Sequence, residues 1–194
     1  MITARPFYYL RHGETDWNRE GRMQGSADIP LNETGMAQAE RARDLLKGIE
    51  ISRIVCSPLQ RARQTAEIVN RELQLPITYI DNLREAHFGV QEGTMMGDWF
   101  HQWRLGADIE EAEPCDVFIE RSRRAINEAI EEGEGTPLIV AHGAVYWAVK
   151  RYCRVFDDIP LPNSVPVFHE PIGRRNLPWR AKFLEEAETE TIPV

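Results

Sequence analysis

Two histidines stand where short apolar runs stop. Phe7-Tyr8-Tyr9-Leu10 runs into Arg11-His12-Gly13, and Pro137-Leu138-Ile139-Val140-Ala141 runs into His142-Gly143. Each run reads as a buried strand. In open α/β sheets the ligand crevice lies beyond the carboxyl ends of the strands, so both imidazoles should face one crevice. A lone strand-end histidine would most simply bond a nearby carbonyl. A second one at an equivalent position weakens that explanation. Arg61, within Ser57-Pro58-Leu59-Gln60-Arg61-Ala62-Arg63-Gln64-Thr65-Ala66, opens a helix that follows another strand. A positive charge there opposes the helix macrodipole. A bound anion relieves the conflict, because guanidinium and helix N–H groups can hold it together. Arg63 reads as a solvated surface residue.

The elements that must carry these groups alternate. After the first strand comes a Gly/Asp/Pro-rich loop, 21–31. Asn32 is placed to cap a helix with Met36, Ala39, Ala42, Leu46 and Ile49 at helical spacing. Ile51 to Cys56 reads as a strand, and Ala62, Ala66, Val69 and Leu73 mark one face of the next helix. Pro76 ends that unit before a strand at Ile77–Ile80. The stretch 82–114 is less regular. It holds an apolar patch, Met95-Met96-Trp99-Phe100-Trp103, then an acidic segment. A helix with Ile119, Ser122, Ile126 and Ile130 on one side follows, then the strand before His142 and a helix over 144–153. Two late strands, 165–169 and 179–184, flank a turn at 173–176. Alternating strands and helices predict an α/β fold with a mostly parallel sheet covered on both faces.

Composition sets the outer bounds. The 194 residues fit one domain, expected to span 1–194, with a lid-like insertion at 87–117 and a disordered tail at 186–194. The net charge of -8 argues against a nucleic-acid partner, which would need a basic face. Any anion site must therefore be a local positive pocket in a negative protein. Three cysteines, Cys56, Cys115 and Cys153, make a poor disulfide framework. They suit a reducing compartment, and we expect a cytoplasmic location. The N-terminus lacks the pattern of a secretion signal, and no apolar run is long enough to span a bilayer. Cys56 reads as core. His87, His101 and His169 are scattered without metal-ligand spacing and read as structural or surface residues. The aromatic patch at 95–103 reads first as lid packing and second as an apolar substrate wall.

Taken in order, several motifs make the chain resemble the phosphoglycerate mutase-like histidine phosphatase superfamily. They are Leu10-Arg11-His12-Gly13-Glu14-Thr15 with Trp17 and Asn18, and Gly21-Arg22-Met23-Gln24-Gly25 with Asp28, Pro30, Leu31 and Gly35. Ser57 to Ala66 follows, then Leu83 and Glu85 with Phe88-Gly89 and Glu92-Gly93, and last Val140-Ala141-His142-Gly143. The resemblance implies a three-layer α/β/α sandwich, its sheet mostly parallel with an antiparallel edge strand. It implies that His12 is a nucleophile that becomes phosphohistidine. Arg11, Arg61 and His142 would hold the phosphoryl oxygens, with Asn18 and backbone near Gln24, Gly25 and Gly143 completing the pocket. Glu85 would protonate the leaving oxygen and then activate water. Physical chemistry accommodates these roles without metal or cofactor. Neutral imidazole is a good nucleophile near pH 7, and phosphoryl transfer asks chiefly for charge stabilisation. Glu85 faces opposed influences, burial raising its pKa and the arginines lowering it. As an ordinary loop carboxylate it would instead pair with Arg84.

Within that family a phosphatase acting on a small phosphate monoester is expected. Between Thr94 and Val117 the only basic side chain among many acidic ones is Arg104, besides His101, which speaks against a small, doubly anionic substrate. The Gln24-Gly25 loop and the short Phe88–Gly93 turn also resemble the phosphatase branch. The chain departs from that branch at Glu113-Pro114-Cys115-Asp116-Val117, where many members carry a Gly-Glu-Ser-like stretch. A cofactor-dependent phosphoglycerate mutase is the first alternative, and a catalytically weak phospho-ligand-binding regulator the second. The late strands leave an edge on which a homodimer could form.

Overall fold

The computed structural model describes residues 1–155, 161–172 and 178–184. The turn expected at 173–176 and the tail expected at 186–194 lie outside the described residues. β1 (Phe7–Arg11), β2 (Arg53–Cys56), β3 (Ile77–Tyr79) and β4 (Pro137–Ala141) pair in parallel. β5 (Val167–Pro171) and β6 (Trp179–Phe183) complete a six-stranded sheet in the order β3-β2-β4-β1-β5-β6. β5 runs antiparallel to β1, and β6 antiparallel to β5. The antiparallel margin is therefore two strands wide rather than one. Every residue of the central β2 and β4 is buried, as strands covered on both faces must be.

Alternate strand residues feed two separate cores. Tyr9, Val55 and Ile139 join Phe118, Ile126 and Val149 of helices α5 (Cys115–Glu131) and α6 (Val145–Cys153). Leu10, Ile54, Cys56, Leu138 and Val140 join Ala42, Ala62, Ala66 and Val69 of helices α2 (Glu33–Leu45) and α3 (Gln60–Leu73). The strand period of two thus builds the three layers.

Asn32 caps α2 by accepting from the Gly35 N–H at 2.8 Å. The buried face of α2 is Gly35, Ala39 and Ala42, while Met36 is exposed. Ala39, Ala42 and Leu46 are buried as expected, and only in the first turn does Gly35 replace Met36, because that turn is pressed onto the chain that leaves β1. A Cβ on Gly35 would fall 2.0 Å from the Glu14 carbonyl oxygen, and one on Gly13 2.4 Å from the Gly35 carbonyl oxygen. Only glycines permit that approach, which fixes the backbone beside His12.

The irregular region folds as two 3-10 turns, Asp81–Leu83 and Gly89–Gln91, and the short helix α4 (Asp98–Arg104). A shorter helix, α1 (Asp16–Arg19), follows β1. Phe88, Phe100 and Trp103 are buried, with ring centroids 5.1 to 6.0 Å apart. Phe100 also meets Trp147 of α6 at 5.4 Å. The aromatic patch therefore does pack α4 onto the body, although Met95 and Met96 stay exposed. No helix among the described residues is long and apolar enough to cross a membrane.

Arg53 holds the far end of α5. Its guanidinium donates to the carbonyls of Ala129 (2.8 Å), Ile130 (3.2 Å) and Glu134 (2.9 Å). Arg53→Met would leave these acceptors without that donor, at about 1–3 kcal/mol. Thermal unfolding should fall by several degrees with catalysis unaltered at low temperature. An unchanged melting point would mean that solvent replaces the guanidinium fully.

Candidate active site

β1 and β4 are hydrogen-bonded neighbours with Arg11 opposite Ala141, so His12 and His142 each follow a paired position. Their rings lie 5.2 Å apart, centroid to centroid. The His12 N–H donates to the Ala141 carbonyl at 3.0 Å, and its carbonyl accepts from Asn163 Nδ2 at 2.8 Å. Its ring Nδ1 lies 2.7 Å from the Gly13 carbonyl oxygen. A carbonyl can only accept, so Nδ1 carries the proton and Nε2 the lone pair. Burial holds the His12 pKa well below the usual histidine value, reinforced by Arg61 and Arg11. The ring is therefore neutral at physiological pH with Nε2 unprotonated.

Arg61 is fully buried near the start of α3. It donates to the carbonyls of Ala27 (2.7 Å) and Gly25 (2.8 Å). Burial lowers its pKa to about 10, so it remains a cation. The negative partner expected at this helix start exists within the protein too: Asp28 Oδ1 accepts from the Gln60 N–H at 2.6 Å. Arg11 donates to the Leu161 carbonyl at 2.9 Å. The Nε atoms of both arginines are buried and meet no protein acceptor. Each guanidinium thus retains a donor that an anion can use. Asn18 Oδ1 accepts from the Thr15 N–H at 3.2 Å, which leaves its amide N–H groups for the pocket.

The loop under Arg61 is tied down by Glu92. Its Oε1 accepts from the Ser26 N–H (2.7 Å), the Ser26 hydroxyl (2.9 Å) and the Phe88 N–H (3.2 Å), and lies 2.8 Å from His87 Nδ1. Burial works to raise the Glu92 pKa, but these hydrogen bonds outweigh it and hold the group below its ordinary value. Gly25 has φ +54° and a Cβ there would lie 2.3 Å from Glu92 Oε1. Glycine is needed at that position on both counts. Gln24 is buried beside it, its Oε1 without a protein partner.

Glu85 pairs with backbone rather than with Arg84, which is bonded to Asp81. Its Oε2 accepts from the Ala144 N–H at the start of α6 (3.0 Å) and its Oε1 from the Ala86 N–H (3.2 Å). Burial raises its pKa. The two N–H groups, Arg61 and Arg11 pull the other way without cancelling it. Among the opposed influences, desolvation wins.

One cavity of about 540 Å³ joins Arg11, His12, Asn18, Gln24, Gly25, Arg61, Glu85 and Gly143. His142 is the one expected site residue outside its lining. It is fully buried beside His12, with Nε2 2.7 Å from Ser57 Oγ. His87 lies in the Glu92 cluster. His169 is buried in the core, stacked on Phe7 at 4.7 Å. Cys56 is buried, and burial pushes its thiol pKa up. Among the described residues no three His, Cys, Asp or Glu side chains gather in a metal-binding group.

Met96 and Phe100, the patch weighed second as an apolar substrate wall, do line the cavity, but the sequence reading missed the cations and Trp147 beside them. Arg22, Met96, Phe100, Arg104, Trp147 and Lys150 also line the cavity. Arg104 lies 4.8 Å over the Trp147 ring, and Arg22 4.2 Å over Trp17. None of Asp98, Asp108, Glu110, Glu111, Glu113 or Asp116 lines it. The acidity of that segment therefore does not describe the cavity. A usable signal was present: Trp147 and Lys150 are spaced i, i+3 on the helix that begins just after Gly143.

A mostly parallel sheet that brings Arg11 and His12 to one crevice, joined there by Arg61 of α3 and with His142 buried beside His12, defines an α/β protein with a cationic, histidine-bearing cavity. The chain belongs to the histidine phosphatase superfamily, branch 1, whose family model matches residues 7–162. It is 37% identical over 142 residues to an uncharacterized phosphatase, PhoE, of Bacillus subtilis, covering 72% of each chain. It is 34% identical over 147 residues to a probable phosphoglycerate mutase, GpmB, of Salmonella arizonae, covering 70% of this chain and 68% of that one. In structure it is similar to a mycobacterial glucosyl-3-phosphoglycerate phosphatase solved with VO3. The TM-score is 0.78 at 26% identity, covering 95% of this chain and 100% of the other.

Proposed function

We propose that the protein is a phosphatase that hydrolyses a small organic phosphate monoester through a phosphohistidine on His12, independently of metal. The observation that carries this reading is the bond from His12 Nδ1 to the Gly13 carbonyl, which leaves Nε2 unprotonated in a cavity that Arg61 and Arg11 also line. Nε2 attacks phosphorus, the ester P–O bond breaks, and Glu85 gives its proton to the leaving alkoxide. Water then attacks phosphorus, Glu85 takes its proton, and the N–P bond breaks to release phosphate. Arg11 and Arg61 stabilise the equatorial oxygens in both steps. His142 supports them from beside His12, and Asn18, Gly143 and the Gln24-Gly25 loop shape the rim. The segment 87–117 acts as the lid that selects the ester. Cys56, Cys115 and Cys153 are free thiols, which suits the cytoplasm.

The outer cations favour a second reading. Arg22, Arg104 and Lys150 give the cavity room for a second acidic group, as a phosphoglycerate mutase needs. One assay separates the two. The protein is incubated with a panel of phosphate esters in the presence of EDTA, and both released phosphate and 2-/3-phosphoglycerate interconversion are measured. Steady phosphate release is the expected result. Isomerisation primed by bisphosphoglycerate would replace it with the mutase. No turnover of any ester would leave a phospho-ligand-binding regulator.

Arg104→Ala should discriminate among phosphatase substrates. For an ester carrying a carboxylate, KM should rise roughly five-fold or less, since an exposed ion pair contributes about 1 kcal/mol at most. For an uncharged ester KM should not change. Equal effects on both would remove Arg104 from substrate selection.

A further inference from the structure

His142 is neutral at physiological pH, since burial, Arg61, His12 and Arg11 all hold its pKa well below the usual value. A neutral imidazole has one donor and one acceptor. Which nitrogen bears the proton therefore decides what His142 offers an anion. One nitrogen is accounted for: Nε2 lies 2.7 Å from Ser57 Oγ. The other, Nδ1, is buried without a protein partner. Were the proton on Nε2, a bare lone pair at Nδ1 would be buried on a ring only 5.2 Å from that of His12, where a phosphoryl group would be taken. Such a pair would repel a phosphoryl oxygen.

The surroundings of Ser57 break the tie. Ser57 follows β2 as His142 follows β4, and the two strands are paired with Cys56 opposite Val140. The Ser57 N–H donates to the Val140 carbonyl at 2.9 Å, which locks this register. Its Oγ accepts from the Leu59 N–H at 3.4 Å. That contact leaves the hydroxyl proton unused, and among the described residues Nε2 is the one acceptor within reach of it. The His142 backbone is held independently, its carbonyl accepting from the Tyr9 hydroxyl at 2.8 Å. Ser57 and His142 are both fully buried.

We propose that Ser57 is a positioning residue that donates to His142 Nε2 and so fixes the His142 proton on Nδ1. The second histidine then meets an anion seated at His12 with a donor rather than a lone pair. This assignment rests on the reading of the cavity as a phosphoryl site. Ser57 itself touches no substrate and acts only through the ring of His142.

The test is the tautomer. In protein labelled with ¹⁵N-histidine, two-bond ¹H–¹⁵N correlations identify the protonated nitrogen of each ring. In the wild-type protein the His142 pattern should be that of Nδ1–H, and added inorganic phosphate should shift the Nδ1 resonance. In Ser57→Ala the pattern should move toward Nε2–H or a mixture, with kcat on a phosphate ester falling about ten-fold or more. Ser57→Thr, which keeps the hydroxyl, should restore both pattern and rate. A wild-type ring protonated on Nε2 overturns the assignment whatever the variants do. So does a Ser57→Ala ring still protonated wholly on Nδ1. The wild-type spectrum is read without turnover. An Nδ1–H ring that phosphate shifts, in a protein that hydrolyses no ester, would uphold Ser57's role and remove the phosphatase reading instead.

Discussion

His12→Ala should abolish the acid-labile phosphoprotein formed on mixing with substrate and slow turnover by about 10⁴-fold or more, the scale seen when a nucleophile is removed. The expectation follows from how little else in the cavity can replace Nε2. His142 lies outside the cavity lining with Nε2 engaged by Ser57. Cys56 is buried in β2 with its thiol pKa pushed up, so thiolate is scarce. Arg11 and Arg61 keep their own carbonyl partners in the variant. Competitive inhibition by inorganic phosphate should therefore change far less than kcat. That split between rate and binding separates loss of a nucleophile from collapse of the site. The variant loses one short hydrogen bond and some buried ring packing, at about 1–3 kcal/mol, so circular dichroism should report a folded protein. Rapid quench with ³²P-labelled ester measures the intermediate directly. Label that persists in His12→Ala would mean that another side chain is the nucleophile.

Much of this site could be read from sequence because strand ends are legible. Buried parallel strands appear as unbroken apolar runs, and the residues after Leu10 and Ala141 had to emerge at one end of the sheet. The register of β1 and β4 then sets the two imidazoles side by side. Arg61 was legible for a different reason: a cation at a helix start needs an explanation. The structure supplies part of it internally, through Asp28 and the carbonyls of Gly25 and Ala27. The environment of Glu85 was not legible. Its pKa depends on whether burial or the arginines prevail, and that is a matter of packing. The cations of the outer wall were hidden for the same reason. Counting charges between Thr94 and Val117 treats a segment as if it had one side. Arg104 reaches the cavity across Trp147, while Glu113 pairs with Arg121 at 2.6 Å away from it. The extra antiparallel strand and the loop bonds from Asn163 to His12 and from Arg11 to Leu161 join distant parts of the chain. No local pattern encodes such pairings.

Glu85→Gln should give the other large effect, and its size depends on the leaving group and the pH. The carboxyl must be protonated when the ester bond breaks. Burial favours that form by raising its pKa, against the N–H groups of Ala144 and Ala86 and the charges of Arg61 and Arg11. Each oxygen accepts only one backbone hydrogen bond, so a lone-pair site remains for the proton. His12 must be neutral, and its pKa is lowered. Activity should therefore rise with pH as His12 loses its proton and fall as Glu85 loses its own. The result is a bell in kcat/KM with its optimum on the acid side of neutrality. The substrate's second phosphate ionisation, near 6, adds to the same profile. Comparing wild type with Glu85→Gln isolates the carboxyl, because the amide cannot ionise. For alkyl phosphates kcat should fall about 10²–10⁴-fold. For p-nitrophenyl phosphate, whose phenolate departs without a proton, the loss in the first step should be much smaller. The limb attributable to Glu85 should vanish from the pH profile of the variant. Equal losses for both esters, or an unaltered descending limb, would show that Glu85 does not supply the proton.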